Sequence, residues 1–233
     1  FFSKRINPIV TALNKDGYEN IQLINPTVFQ YRFFPSKKFL NLIRKNFPKF
    51  HMLSTGTDYY NMKYGMESLR YNPYDDYLKY DLKKKTNPFF IQKKKDMTDY
   101  IIHNVDKIIP VIYEYSEPYK FTNKLTECVP IPINSNKIEY SRNIIRGKII
   151  IFHGLSRPGF KGTKYIKEAM DIIQERYPKE VRCIIKGGLP LSEYLPLLRK
   201  SNIVIDQCNS YSWGMNALYA LAQGKIVLSG NEQ

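Results

Sequence analysis

Short apolar runs, each closed by a Gly, Pro, Asn or Asp turn and followed by a stretch of helical spacing, recur along this chain of 233 residues. Ile21-Gln22-Leu23-Ile24 reads as a buried strand closed by Asn25-Pro26. Phe39, Leu40, Ile43 and Phe47 then recur with helical period until Pro48, and Phe50-His51-Met52-Leu53-Ser54 is the next strand. Strand, helix, strand in that order predicts a parallel βαβ unit. The spacing predicts a helix over 96–105 with Met97, Tyr100, Ile101 and Asn104 on one side. A strand over 107–113 follows, and its internal Pro110 marks an edge or a bend. Cys128 to Asn134 reads as an extended segment, and residues 1–20 as a polar helix or loop ending at Asp16-Gly17.

The second half alternates more cleanly. Strands are expected over 148–153, 181–185, 203–206 and 226–228. Between them lie helices near 163–177, 192–200 and 214–223. Ile166, Ala169, Met170 and Ile173 form the stripe of the first of these, with Thr163 as its expected N-cap and Gly224 as the C-terminal cap of the last. The fold class this predicts is α/β with two Rossmann-like parallel-sheet domains. The expected limits are 1–134 for the first, a polar linker over 135–146, and 147–233 for the second. The chain starts on Phe1-Phe2 and stops soon after a strand, so both domains are expected to be incomplete.

Composition narrows the classes. Hydrophobic residues make up 43%, which supports buried cores and excludes a disordered chain. No run has the length of a membrane span. The three scattered cysteines, Cys128, Cys183 and Cys208, fit a reducing, cytoplasmic setting, and no spacing of His or Cys predicts a metal. The formal net charge of +15 fits nucleic acid, an anionic membrane face or phosphorylated small molecules as partners; an AT-rich genome would produce the same excess of Lys, Asn, Ile and Tyr. Lys83-Lys84-Lys85 and Lys93-Lys94-Lys95 flank Pro88-Phe89-Phe90 inside a Tyr-, Asp- and Lys-rich stretch, read either as a membrane-touching patch or as a solvated basic surface.

Candidate chemistry collects where strands end. After the strand at 148–153 come Gly154, Ser156, Arg157 and Lys161, cations and a small residue beside a helix start, which suits a diphosphate. His153 at the same strand end fits a structural side chain or a catalyst. Gly187 and Gly188 close the next strand. After Asp206, the loop carries Gln207, Ser210, Tyr211 and Ser212, and Gly214, Met215 and Asn216 open a helix whose first amides can bind a phosphate. The same loop would also serve as a plain capping loop. In the first half Asp58 lies at a strand C-terminus, as a candidate base or as a helix N-cap.

The residues from Phe152-His153-Gly154 through Lys161-Gly162-Thr163, then Ile205-Asp206-Gln207, then Gly214 to Val227 resemble the C-terminal half of GT-B-fold glycosyltransferases, group 1 (family four) type. That resemblance implies a two-domain enzyme that moves a sugar from a nucleotide-diphosphate donor to a glycan or lipid-linked acceptor, in bacterial surface polysaccharide synthesis. Arg157 and Lys161 would hold the diphosphate, and loop 210–216 the sugar and distal phosphate, with no cofactor and no metal. Such an enzyme would be cytoplasmic, at the inner membrane face or free of it. Two departures stand out. The family's paired glutamates fall on Tyr211 and Tyr219, and Arg157 stands one residue closer to Lys161 than is usual. A non-catalytic basic module for nucleic acid or anionic lipid on the same sheet is the alternative reading; the enzyme reading excludes nucleic acid as partner.

Overall fold

The computed structural model describes residues 2–26, 36–74, 76, 92–155 and 159–231. They form two compact units. The first is Phe1–Glu67 with Thr86–Pro130, and the second is Ser68–Lys85 with Ile131–Gln233.

The first unit holds a parallel sheet of β1 (Asn20–Leu23), β2 (Lys49–Ser54) and β3 (Lys107–Pro110), in the order β1-β2-β3. Register pairs Leu23 with Met52 and Met52 with Ile108. Alternation along central β2 buries Phe50, Met52 and Ser54. Helix Ser36–Asn46 sets Leu40 and Ile43 on this sheet, with Phe47 just beyond its end. Helix Gln92–Asn104 sets Met97, Tyr100 and Ile101 on this core, as the spacing predicts, and buries Ile102 as well, with Val105 just beyond its end. Helix Phe2–Lys15 adds Val10 and Leu13. As Pro110 required, β3 is an edge strand. It also ends there, and Tyr113–Ser116 is a helical turn rather than more strand. The outer side of β3 is covered by 124–126, where the Ile108 N–H donates to Lys124 O and the Thr126 N–H to Ile108 O.

The second unit holds a parallel sheet of β4 (Ile149–Leu155), β5 (Val181–Gly187), β6 (Ile203–Ile205) and β7 (Ile226–Leu228), in the order β5-β4-β6-β7. Alternate residues feed two apolar layers. On one face Ile151, Val181, Ile203 and Ile205 meet Ile166 and Met170 of helix Thr163–Arg176. On the other, Phe152 and Val204 meet Leu198 of helix Leu191–Lys200 and Ala220 of helix Met215–Ala222. Helices on both faces explain why β4 is a continuous apolar run. The N-cap of helix Thr163–Arg176 is Gly162, not Thr163 as the sequence predicts.

The order β5-β4-β6-β7 fixes where a ligand can sit. From β4 the chain crosses to one side, to β5, and from β6 it crosses to the other, to β7. The loops after β4 and β6 therefore part company at the shared C-terminal edge. That reversal opens the crevice in which open α/β sheets bind ligands. Among the described residues no helix is long and apolar enough to cross a membrane.

Candidate functional site

The two loops predicted to carry chemistry meet at this reversal, and Asp206 joins them. It lies just past β6 and is 1% exposed. Its Oδ1 accepts from Lys161 Nζ at 2.8 Å and from Asn216 Nδ2 at 3.2 Å, and its Oδ2 accepts from the Gly214 N–H at 3.1 Å. Lys161 belongs to the first loop; Gly214 and Asn216 belong to the second. A second tie runs from the Cys208 N–H to Lys161 O at 3.1 Å. Asp206 thus fixes the ammonium of Lys161, whose side chain is 12% exposed, and holds the N–H of Gly214, the N-cap residue of helix Met215–Ala222.

Gly162 is what allows the close approach. Its φ is +69°, and a Cβ there would stand 2.2 Å from Cys208 Sγ and 3.0 Å from Asn209 Oδ1. Gly154 is needed for a different reason, since a Cβ on it would lie 2.8 Å from the ring of Tyr194.

His153 is fully buried beneath the loops. Its Nδ1 lies 2.8 Å from Ile205 O and its Nε2 2.9 Å from Thr163 Oγ1. Nδ1–H donating to the carbonyl and Nε2 accepting from the hydroxyl satisfies both nitrogens of a neutral ring. Burial holds the imidazole below its usual value; the Ile205 carbonyl and Asp206 oppose this and Lys161 adds to it. A lowered folded-state value means that the unfolded chain takes up the proton first. The stability from this group is present above pH about 6.5 and is lost as pH falls through the folded value. We expect the free energy of unfolding to fall below that pH, by up to about 1.4 kcal/mol per pH unit. His153→Leu should remove that slope in a pH series of denaturant melts; an unchanged slope would place the titration elsewhere.

Other sequence candidates take supporting positions. Gln207 Nε2 donates to Ser212 O at 2.7 Å and braces the second loop, where Ser210 and Ser212 are buried. Tyr211 faces its neighbours in the unit: its hydroxyl accepts from the Arg70 N–H at 3.0 Å, and its ring lies 4.9 Å from that of Tyr71. Tyr219 packs in the apolar layer with Phe152, Leu198 and Ala220. Gly187 pairs with Leu155, and Gly188 follows with φ +67°, both at the same sheet edge. Met215 and Trp213 are on the exposed rim. Ser156 and Arg157 lie outside the described residues, as do Lys83-Lys84-Lys85 and Phe89-Phe90.

Asp58 is in the first unit. It is buried at the start of helix Tyr59–Ser68 and accepts from the Asn61 N–H at 2.9 Å, from Asn61 Nδ2 and from the Tyr119 hydroxyl at 2.8 Å. Burial pushes its carboxyl up, while the Asn61 and Tyr119 hydrogen bonds pull it back. This is the geometry of a helix N-cap.

Two features escaped the sequence reading. One is Asp206 as the hub. The other is the segment around 70–76, which the sequence presents as an unpatterned insertion yet which packs on both loops. Besides the contacts of Arg70 and Tyr71 with Tyr211, Asp76 Oδ2 accepts from Asn209 Nδ2 at 2.7 Å, and the ring of Tyr74 lies 6.0 Å from that of Phe160.

The class defined by this architecture is α/β, with two Rossmann-like parallel sheets. No protein-family model matches the chain, and no curated protein does. Among solved structures, sucrose-phosphate synthase from Thermosynechococcus elongatus matches with a TM-score of 0.53 at 14% identity, over 97% of this chain and 59% of that one. The GtfA/B complex bound to UDP and GlcNAc matches with a TM-score of 0.37 at 9% identity, over 96% of this chain and 46% of that one. The first likeness shows a shared fold, and the chain spans about 59% of that protein's length. The second is too loose to support an argument.

Proposed function

We propose that the chain is a nucleotide-sugar-dependent glycosyltransferase, its donor bound at the loops after β4 and β6. The observation that carries this reading is the meeting of Lys161 with the N-terminus of helix Met215–Ala222 at the point where strand order reverses. The fold shared with sucrose-phosphate synthase supports it at the level of architecture.

In this reading the acceptor hydroxyl attacks the anomeric carbon, and the bond from that carbon to the phosphate oxygen breaks. The electron pair leaves on the nucleoside diphosphate, whose freed phosphate oxygen takes the proton of the attacking hydroxyl. Lys161 has three N–H donors, and among the described residues one meets Asp206, so two remain for phosphate oxygens. The first intrahelical bond runs from the Leu218 N–H to Gly214 O, which leaves the amides of Met215, Asn216 and Ala217 without an acceptor inside the helix. Cation and amides together stabilise the departing charge without a metal. Asn216 Oδ1, buried without a hydrogen-bond partner among the described residues, adds an acceptor suited to a sugar hydroxyl. The first unit is assigned to the acceptor, a glycan or lipid-linked sugar of a bacterial surface polysaccharide.

A panel of nucleotide sugars tests this by release of nucleoside diphosphate, with and without glycan acceptors. One donor should turn over, and Lys161→Gln, shown to be folded by circular dichroism, should lower its kcat about 100-fold or more. Turnover that survives Lys161→Gln unchanged would remove the cation from the reaction.

A further inference from the structure

We propose that the opposite edge of the second sheet carries a separate site for a compact polyphosphate anion, held in a cavity of about 360 Å³ ringed by Arg142, Arg146, Lys148, Arg199, Lys200 and Lys225. Lys148 precedes β4, Asn202 precedes β6 and Lys225 precedes β7, so the cavity opens at the N-terminal ends of the strands. Lys161 and Asp206 follow the C-terminal ends of β4 and β6. The two places are on opposite edges of one sheet.

No acidic side chain is among the residues lining the cavity. Arg199 has a partner beside it, Glu139 Oε2 at 2.9 Å, in an exposed pair. Lys225 is buried, and its Nζ donates to neutral oxygens, Arg199 O at 2.7 Å and Ser141 Oγ at 3.5 Å. Its ammonium is held below the usual lysine range by burial and by the nearby Arg199 charge. Like charges gathered around a concavity repel one another unless an anion sits among them.

Helix chemistry explains some of these cations. Arg199 and Lys200 lie in the last turn of helix Leu191–Lys200, where cations are ordinary. Lys148 Nζ donates to Pro178 O, just past helix Thr163–Arg176. Helix chemistry does not explain Arg142 and Arg146, which arrive on a strap with no helix of its own. That strap is fastened in place. Asn143 and Asn202 exchange two hydrogen bonds at 2.8 and 2.9 Å, and Asn202 Oδ1 accepts from the Ile150 N–H at 2.9 Å. The wall is therefore preformed, and a cavity of this size suits a small molecule rather than an extended polymer.

The test uses the 233-residue chain carrying Lys161→Gln, so that the loops after β4 and β6 contribute little. Inorganic triphosphate is titrated by calorimetry at fixed ionic strength. Arg142 and Arg146 are exposed, so Arg142→Ala with Arg146→Ala should leave the fold intact. The expected result is saturable binding that this pair of changes weakens about 10-fold or more, while Lys38→Ala with Lys45→Ala, an equal loss of surface charge, changes it less than twofold. Equal weakening by both pairs would mean attraction to net charge alone and would overturn the site, as would no binding. Vesicles of phosphatidylglycerol and phosphatidylcholine separate a lipid head group from a free phosphate. Capture that depends on Arg142 and Arg146, with triphosphate ignored, would overturn the proposal in favour of a membrane surface.

Discussion

Asp206→Ala should destabilise the second unit by about 3–5 kcal/mol, the largest loss expected from any single substitution at the site. The carboxylate is almost wholly buried and accepts from Lys161, Gly214 and Asn216. Removing it leaves an ammonium in a largely dry place with no counter-charge and frees the Gly214 N–H at the start of helix Met215–Ala222. Asp206→Asn keeps an acceptor for the Gly214 amide and should lose less. Changing both members, Lys161→Met with Asp206→Asn, should lose less than Asp206→Ala alone, because no charge is stranded. The sequence has one tryptophan, Trp213, and it lies in the loop concerned. Its fluorescence during denaturant unfolding reports this unit directly. A midpoint for Asp206→Ala equal to that of the parent would mean that the two loops are not joined through this carboxylate.

The second large effect is expected at Gly162. Alanine there must hold φ near +69°, at roughly 1 kcal/mol, and must push aside Cys208, whose sulfur would lie 2.2 Å from the new methyl. With the overpacking cost the total is about 3 kcal/mol. Cys208→Ala combined with Gly162→Ala relieves the steric part and leaves the backbone part, so the pair should recover about two-thirds of the loss. Recovery to the parent's stability would show that backbone strain contributes nothing. A neutral Gly162→Ala would show that the loops do not approach as closely as described.

Periodicity made the sheets legible. Ile21 to Leu23, Phe50 to Ser54 and the four runs of the second half are strands because alternate or continuous apolar residues have only one economical burial in a helix-covered sheet. Pro110 announced an edge because it cannot donate to a ladder. The apolar stripe of helix Thr163–Arg176 was equally plain. What periodicity does not carry is pairing between distant polar residues. Asp206 reads as one more carboxylate at a strand end, and only the strand order β5-β4-β6-β7 brings Lys161 to it. The segment around 70–76 was opaque for a related reason: Tyr71, Tyr74 and Asp76 bind by ring contacts and a single hydrogen bond, which leave no period in the sequence. Thr163 was misassigned as a cap because a hydroxyl at a helix start has two uses. Here it serves His153, and a left-handed Gly162 occupies the cap position.

Tyr219 shows how a family pattern and a physical environment can diverge. It is packed with Phe152, Leu198 and Ala220, so a carboxylate there would be desolvated among hydrocarbon. If this chain binds a nucleotide, the ribose must be held by other groups, and the exposed Trp213 on the rim offers a flat surface for the base.

The direct test of the proposed donor site is calorimetry of uridine, guanosine and adenosine diphosphates with the intact chain and with Lys161→Gln. The account predicts that one of them binds, that Lys161→Gln weakens it about 10-fold or more, and that Arg142→Ala with Arg146→Ala leaves it unchanged. Failure of all three to bind, or equal affinity in the parent and in Lys161→Gln, would contradict it.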